Sequence, residues 1–191
     1  MLQKYKKQVI YVSLIVLFLI VVICIFLHLK SQNQVTKEQQ LSTSYKESKT
    51  VTIKSVLPIS DELGRTIDGK GTEDGIQGYV ELTITNNIDK KIDYDIYIEA
   101  RDLDHEIKGN YIKFYLTDEA DNPLDWYKQN TVPTYADLLS LTDKPGARVL
   151  HSGRLKEKES KKIIVRVWLA DSYAVSNEID SFSFDISTRA K

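Results

Sequence analysis

Oxygen-bearing side chains crowd one short run, Thr117–Asp125 (TDEADNPLD), where Asp118, Glu119, Asp121, Asn122 and Asp125 follow one another closely. Calcium takes oxygen ligands, so such a run on a loop could hold it. The EF-hand spacing and its sharp-turn glycine are both missing, however, and a solvated loop is the stronger reading. Asp102, Asp104 and Glu106 surround His105 in what reads as a charged turn. Zinc needs clustered Cys and His, and beyond residue 49 there are only His105 and His151, far apart, and no cysteine. His151-Ser152-Gly153 sets an imidazole beside a hydroxyl, but neighbours on a strand point to opposite faces, and no G-x-S-x-G elbow is present. Gly69-Lys70-Gly71-Thr72 lacks the phosphate-loop spacing. The expectation is a non-catalytic chain with no metal and no cofactor.

The segment Asp125–Tyr135 (DWYKQNTVPTY) concentrates Trp126, Tyr127 and Tyr135 between strands. Loop aromatics often anchor a partner, which makes these three the candidate contact residues. The competing reading is that Trp126 folds back to plug the open end of the domain. Arg154, Lys156, Lys158, Lys161 and Lys162 are interleaved with Glu157 and Glu159. They read as a solvated hairpin turn, with contact to an anionic wall polymer or lipid as the minority reading.

The elements that position these residues show period-2 alternation from Thr50 onward. Val51 and Ile53 begin it. Val80, Leu82 and Ile84 face one way in Tyr79–Asn86; Ile92, Tyr94, Ile96, Ile98 and Ala100 do so in Ile92–Arg101. Tyr111–Thr117, a weaker Arg148–Leu155, Lys162–Ala170 and Ser181–Ser187 continue the pattern. Residues 60–78, carrying five glycines, read as a long loop. One short helix is expected where Thr134 and Asp137 resemble a capping box. About seven half-buried strands predict a mostly β fold, an immunoglobulin-like antiparallel β-sandwich.

Ahead of it lies a different solvent. From Val9 to Leu29 only Tyr11, Ser13, Cys24 and His28 depart from Val, Ile, Leu and Phe. About 20 such residues cross a hydrocarbon core of about 30 Å, and a soluble helix would keep a polar stripe. The run is longer than a signal-peptide core, and Leu27-His28-Leu29-Lys30 is a poor cleavage site, so an uncleaved anchor is expected. Lys4, Lys6 and Lys7 place the N-terminus inside. The chain thus divides into a basic cytoplasmic tail (1–8), a single transmembrane helix (9–29), a polar stalk (30–49) and an extracellular domain (50–191). Cys24 is the only cysteine, so the domain holds no disulfide; with heavy Lys and Ile use this points to a Gram-positive cell surface. Residues 50–191 carry 19 basic and 25 acidic side chains, which argues against nucleic acid as a partner. The expected partners are the lipid bilayer and another surface protein, a cell-wall polymer or a second copy of the chain. The alternative function is an accessory subunit of an envelope assembly or secretion machine, acting through the helix.

Two segments carry a family likeness. One is a strand ending in paired asparagines, Leu82–Asn87 (LTITNN), followed by a second alternating strand. The other is Ser160–Tyr173 (SKKIIVRVWLADSY) with the closing strand Phe182–Ile186. Together they resemble the sandwich domains of TasA/camelysin-like proteins of Gram-positive bacteria, which include biofilm-matrix fibres. The resemblance covers most of residues 50–188 and implies a structural role with no catalytic residue. Members of that family typically carry a cleavable signal peptide ending in small residues; this chain lacks that feature, so free fibre assembly is not implied.

Overall fold

The computed structural model describes residues 15–29, 40–46, 48–54, 57–69, 78–101, 107–128, 131–144, 146–174 and 181–191. The chain falls into two compact units, Met1–Gln39 and Gln40–Lys191. In the first, residues 15–29 form helix α1, every one of them exposed. Among the described residues no helix is long and apolar enough to cross a membrane. Residues 9–14 of the expected span, the tail 1–8 and residues 30–39 of the expected stalk lie outside the described residues.

The second unit is mostly β. Its strands are β1 (Leu41–Tyr45), β2 (Thr50–Lys54), β3 (Gly78–Asn86), β4 (Ile92–Ala100), β5 (Ile112–Asp118), β6 (Leu139–Ser140), β7 (Ala147–Leu155), β8 (Ser160–Leu169) and β9 (Ser181–Ala190). One short helix, α2 (Asp61–Arg65), and three 3-10 turns at Gly109–Tyr111, Asp125–Lys128 and Tyr135–Asp137 complete the described elements. Sheet A has the order β1-β3-β8-β5 and sheet B the order β2-β9-β4-β7-β6. Every ladder is antiparallel. The alternation read from sequence sets the inner faces: Val51, Ile53, Val80, Leu82, Ile84, Ile96, Ile98, Phe182, Phe184 and Ile186 are all buried. Each such side chain contributes about 1.5–3 kcal/mol. Phe114 of sheet A meets Phe184 of sheet B edge-on, centroids 5.4 Å apart.

Three expectations are corrected. The strands number nine among the described residues rather than about seven, because β1 and β6 were not foreseen. The stalk does not run to residue 49: Leu41–Tyr45 pairs with Asn86–Leu82 as the edge of sheet A. Its inward positions are Leu41, Thr43 and Tyr45, so two of three carry hydroxyls and the alternation is disguised. Those hydroxyls bridge the sheets, Thr43 to Thr188 and Tyr45 to the Ile186 carbonyl. Finally, the loop 60–78 contains α2, capped by Ser60, whose Oγ accepts from Leu63 N–H.

The two ends of the sandwich differ. At one, short connections 87–91 and 156–159 join β3 to β4 and β7 to β8. Fully buried Asn86 staples them, donating from Nδ2 to the carbonyls of Lys90 (2.7 Å) and Lys156 (2.6 Å) and accepting from Ile88 N–H. Residue 40 leads into β1 at this end, since Leu41 pairs with Asn86. At the opposite end β2, β4 and β8 finish and β3, β5 and β9 begin.

Candidate interaction surface

The loop end gathers three half-buried tyrosines. Tyr111 closes the turn after Gly109; its carbonyl accepts from Ala170 N–H at 2.8 Å, and Tyr173 N–H donates to the Ala170 carbonyl at 3.0 Å. These backbone bonds hold the two rings edge-to-face, 5.2 Å apart. Tyr135 opens a turn in which both the N–H and the hydroxyl of Thr134 donate to Asp137 Oδ2 at 2.8 Å, and those bonds hold the Asp137 carboxyl below its ordinary range. The Tyr135 ring packs on Phe182 at 5.2 Å, its hydroxyl donates to the Gly146 carbonyl, and the Arg148 guanidinium lies 5.5 Å from its centroid. Gly109 is required there, because a Cβ would sit 2.6 Å from the Tyr135 ring. Tyrosines fixed in this way offer contact area at small entropic cost.

The three aromatics singled out from sequence have separate fates. Tyr127 is 1% exposed and donates to the Leu150 carbonyl at 2.7 Å, which makes it a core residue with no surface to give a partner. Trp126 is half-buried, its ring 6.1 Å from that of Tyr127. Tyr135 alone of the three stands at the loop end. The reason is the path of 122–134. Leu124 N–H donates to the Leu116 carbonyl and Phe114 N–H to the Pro133 carbonyl, so the segment runs beside β5. Tyr127 then bridges from that side to β7, and the turn closes the flank of the sandwich, not its end.

The remaining chemistry is used internally. Asp118 Oδ1 accepts from the N–H groups of Ala120 and Asn122; burial alone would raise its carboxyl, and these bonds hold it low. Asp121 is committed to Arg166, 2.6 Å away. No group of three or more metal-ligating side chains gathers among the described residues. Ser152 turns outward to Asp95, while the His151 ring lies 6.0 Å from that of Tyr94. Asp95, 2% exposed, also meets Lys191 at 2.7 Å and Arg189 at 3.2 Å. Burial pushes its carboxyl up, but the bonds from Lys191, Ser152 and Arg189 outweigh that and lower it. Three members of the basic stretch are likewise paired: Arg154 with Asp93, Lys158 with Asp89 and Lys162 with Glu81. On the outer face of sheet B, Asp93, Asp95, Glu99 and Asp185 each take part in an ion pair.

No family model matches the chain, and no curated protein sequence does. Solved structures similar to it include a β-glucosidase from Kluyveromyces marxianus, 14% identical over 58% of this chain and 9% of that one, with a TM-score of 0.25. CBM35 from Paenibacillus barcinonensis is 10% identical over 76% of this chain and 98% of that one, with a TM-score of 0.25. The K1 cleaved adhesin domain of Lys-gingipain from Porphyromonas gingivalis W83 is 10% identical over 78% and 98%, with a TM-score of 0.26. The chain spans less than a tenth of the β-glucosidase's length. Superpositions this loose carry no argument about activity.

Sequence reading passed over Tyr111 and Tyr173. Tyr111 sits at the start of an alternating strand and Tyr173 in an acidic loop, and only their pairing across the loop end distinguishes them. No local signal marks a contact between residues so distant in the chain.

Proposed function

We propose that this chain is a membrane-anchored, non-catalytic cell-surface module. Residues 9–29 anchor it, and an immunoglobulin-like sandwich, akin in architecture to TasA/camelysin-like domains, meets another surface protein with its loop end. The observation that carries this reading is the placement of Tyr111, Tyr135 and Tyr173 at the end opposite to the one where residue 40 leads into β1. The apolar residues Ile15–Leu29, all exposed, support the anchor. A heterologous partner is favoured over a second copy, because the sheet edges are short or covered: β1 and β2 have five residues each and β6 two, and β5 is bonded along its free side by Leu124 and Pro133.

A photo-cross-linking side chain at Tyr173, with one at Asn87 as control, tests the surface in membranes holding the full chain. Adducts from Tyr173 and none from Asn87 are expected; the reverse pattern sinks the reading. Alkaline carbonate extraction tests the anchor: the chain should stay in the membrane pellet, and its recovery from the medium removes the tether. Replacing Val9–Leu29 with an unrelated apolar span should preserve the adduct. Its loss favours a subunit that acts through the helix.

A further inference from the structure

Trp168 projects from the outer face of sheet A, where a side chain ordinarily meets solvent, yet it is 0% exposed. Residues 57–69 cover it as a strap. Ile59 N–H donates to the Leu169 carbonyl, Asp61 pairs with Lys113 at 2.6 Å, the Arg65 guanidinium lies 5.2 Å from the Tyr115 centroid, and Arg166 Nε donates to the Ile67 carbonyl at 2.7 Å. Gly64 lies flat on the indole, with no room for a Cβ. Beneath it Trp168 Nε1 is buried without a hydrogen-bond partner among the described residues. A buried donor lacking an acceptor is unfavourable, and a native structure that retains one calls for an explanation. A helix of one turn, such as α2, has little stability of its own.

We propose that the strap is a displaceable cover, and that the face around Trp168 and Tyr115 binds an acidic saccharide. The register sets Trp168 beside Lys113 and Arg166 beside Tyr115. Trp168 and Tyr115 stand on the same face of adjacent strands, and the flat apolar indole is a surface that the C–H face of a pyranose matches. The indole N–H requires an oxygen acceptor, which a ring hydroxyl supplies. Lifting the strap takes the Asp61 carboxylate from Lys113 and the Ile67 carbonyl from Arg166, so the ligand must return a carboxylate and a further oxygen. The strap itself offers that set: one carboxylate, one carbonyl and a flat peptide over the indole. This inference stands apart from the anchor and from the tyrosines of the loop end.

The test locks the cover. Ile59 and Ala170 are bridge partners, so Ile59→Cys with Ala170→Cys, in a full-length Cys24→Ser chain, can be joined or freed by redox. The probe is an oligogalacturonate, followed by calorimetry and by Trp168 fluorescence in a Trp126→Phe background. The reduced chain should bind and the oxidised chain should bind about tenfold more weakly or not at all, since covering the site lowers apparent affinity by the open fraction. Gly64→Ala, which cannot close on the indole, should bind about tenfold more tightly than its parent. If that variant fails to fold, the locked and freed chains decide alone. Equal binding by locked and freed chains, no binding by any form, or preference for polyglutamate over the saccharide overturns the proposal.

Discussion

Single side chains do much of the joining in this molecule. Asn86 ties together the two turns that cross between the sheets with three hydrogen bonds, and each is worth about 1 kcal/mol net, more when its loss strands a buried carbonyl. Asn86→Ala should therefore cost about 2–4 kcal/mol in chemical denaturation. Tyr127→Phe removes only the bond to Leu150 and should cost about 1 kcal/mol while sparing partner binding. Sequence marked Asn86 as the end of a strand and Tyr127 as a contact residue. The type of each residue was legible, but its partners lay up to 70 positions away.

Among elements, the long strands were legible because their inner faces are mostly apolar, with Asn86, His151 and Thr188 as the polar members. The turn at Tyr135–Asp137 was legible because its capping box is local: Thr134 and Asp137 bond each other whatever the rest of the fold does, although the turn closes as a 3-10 element and not an α-helix. β1 was hidden by Thr43 and Tyr45, β6 by its brevity, and α2 by glycines that read as loop. The distinction has a measurable consequence. Deleting residues 1–39 should leave a monomer. Deleting 1–46 strips β1 and bares β3, one flank of which would then be unpaired, so this truncation should self-associate in size-exclusion chromatography. A true stalk through residue 49 would let both truncations behave alike.

For the whole molecule, stability should form a plateau bounded by two kinds of ionisation. Hydrogen bonds from Lys162, Tyr79 and Lys46 outweigh burial and bring Glu81 down to about 2, and Asp93, Asp95, Asp143 and Asp185 are lowered as well. Folded carboxyls below their unfolded values give stability that is complete above about pH 4.5 and lost as pH falls toward 2. Burial pushes Tyr45, Tyr79 and Tyr94 up to about 12. Their contribution is complete below about pH 10 and lost as pH rises through 12. Melting temperature measured from pH 2 to 12 should be flat between about 5 and 9.5 and fall on both sides; Glu81→Gln should shrink the acid fall. A steady slope across the middle would contradict these assignments.

The stretch 41–54 runs as one ribbon of chain, its first half riveted to sheet A through β3 and its second half to sheet B through β9. Tension applied at residue 40 and resisted at the loops bears lengthwise on both ladders, so rungs must slide together and cannot open one after another. Geometry of that kind turns a few weak bonds into a mechanical clamp, suited to a part that is tugged from one end and gripped at the other.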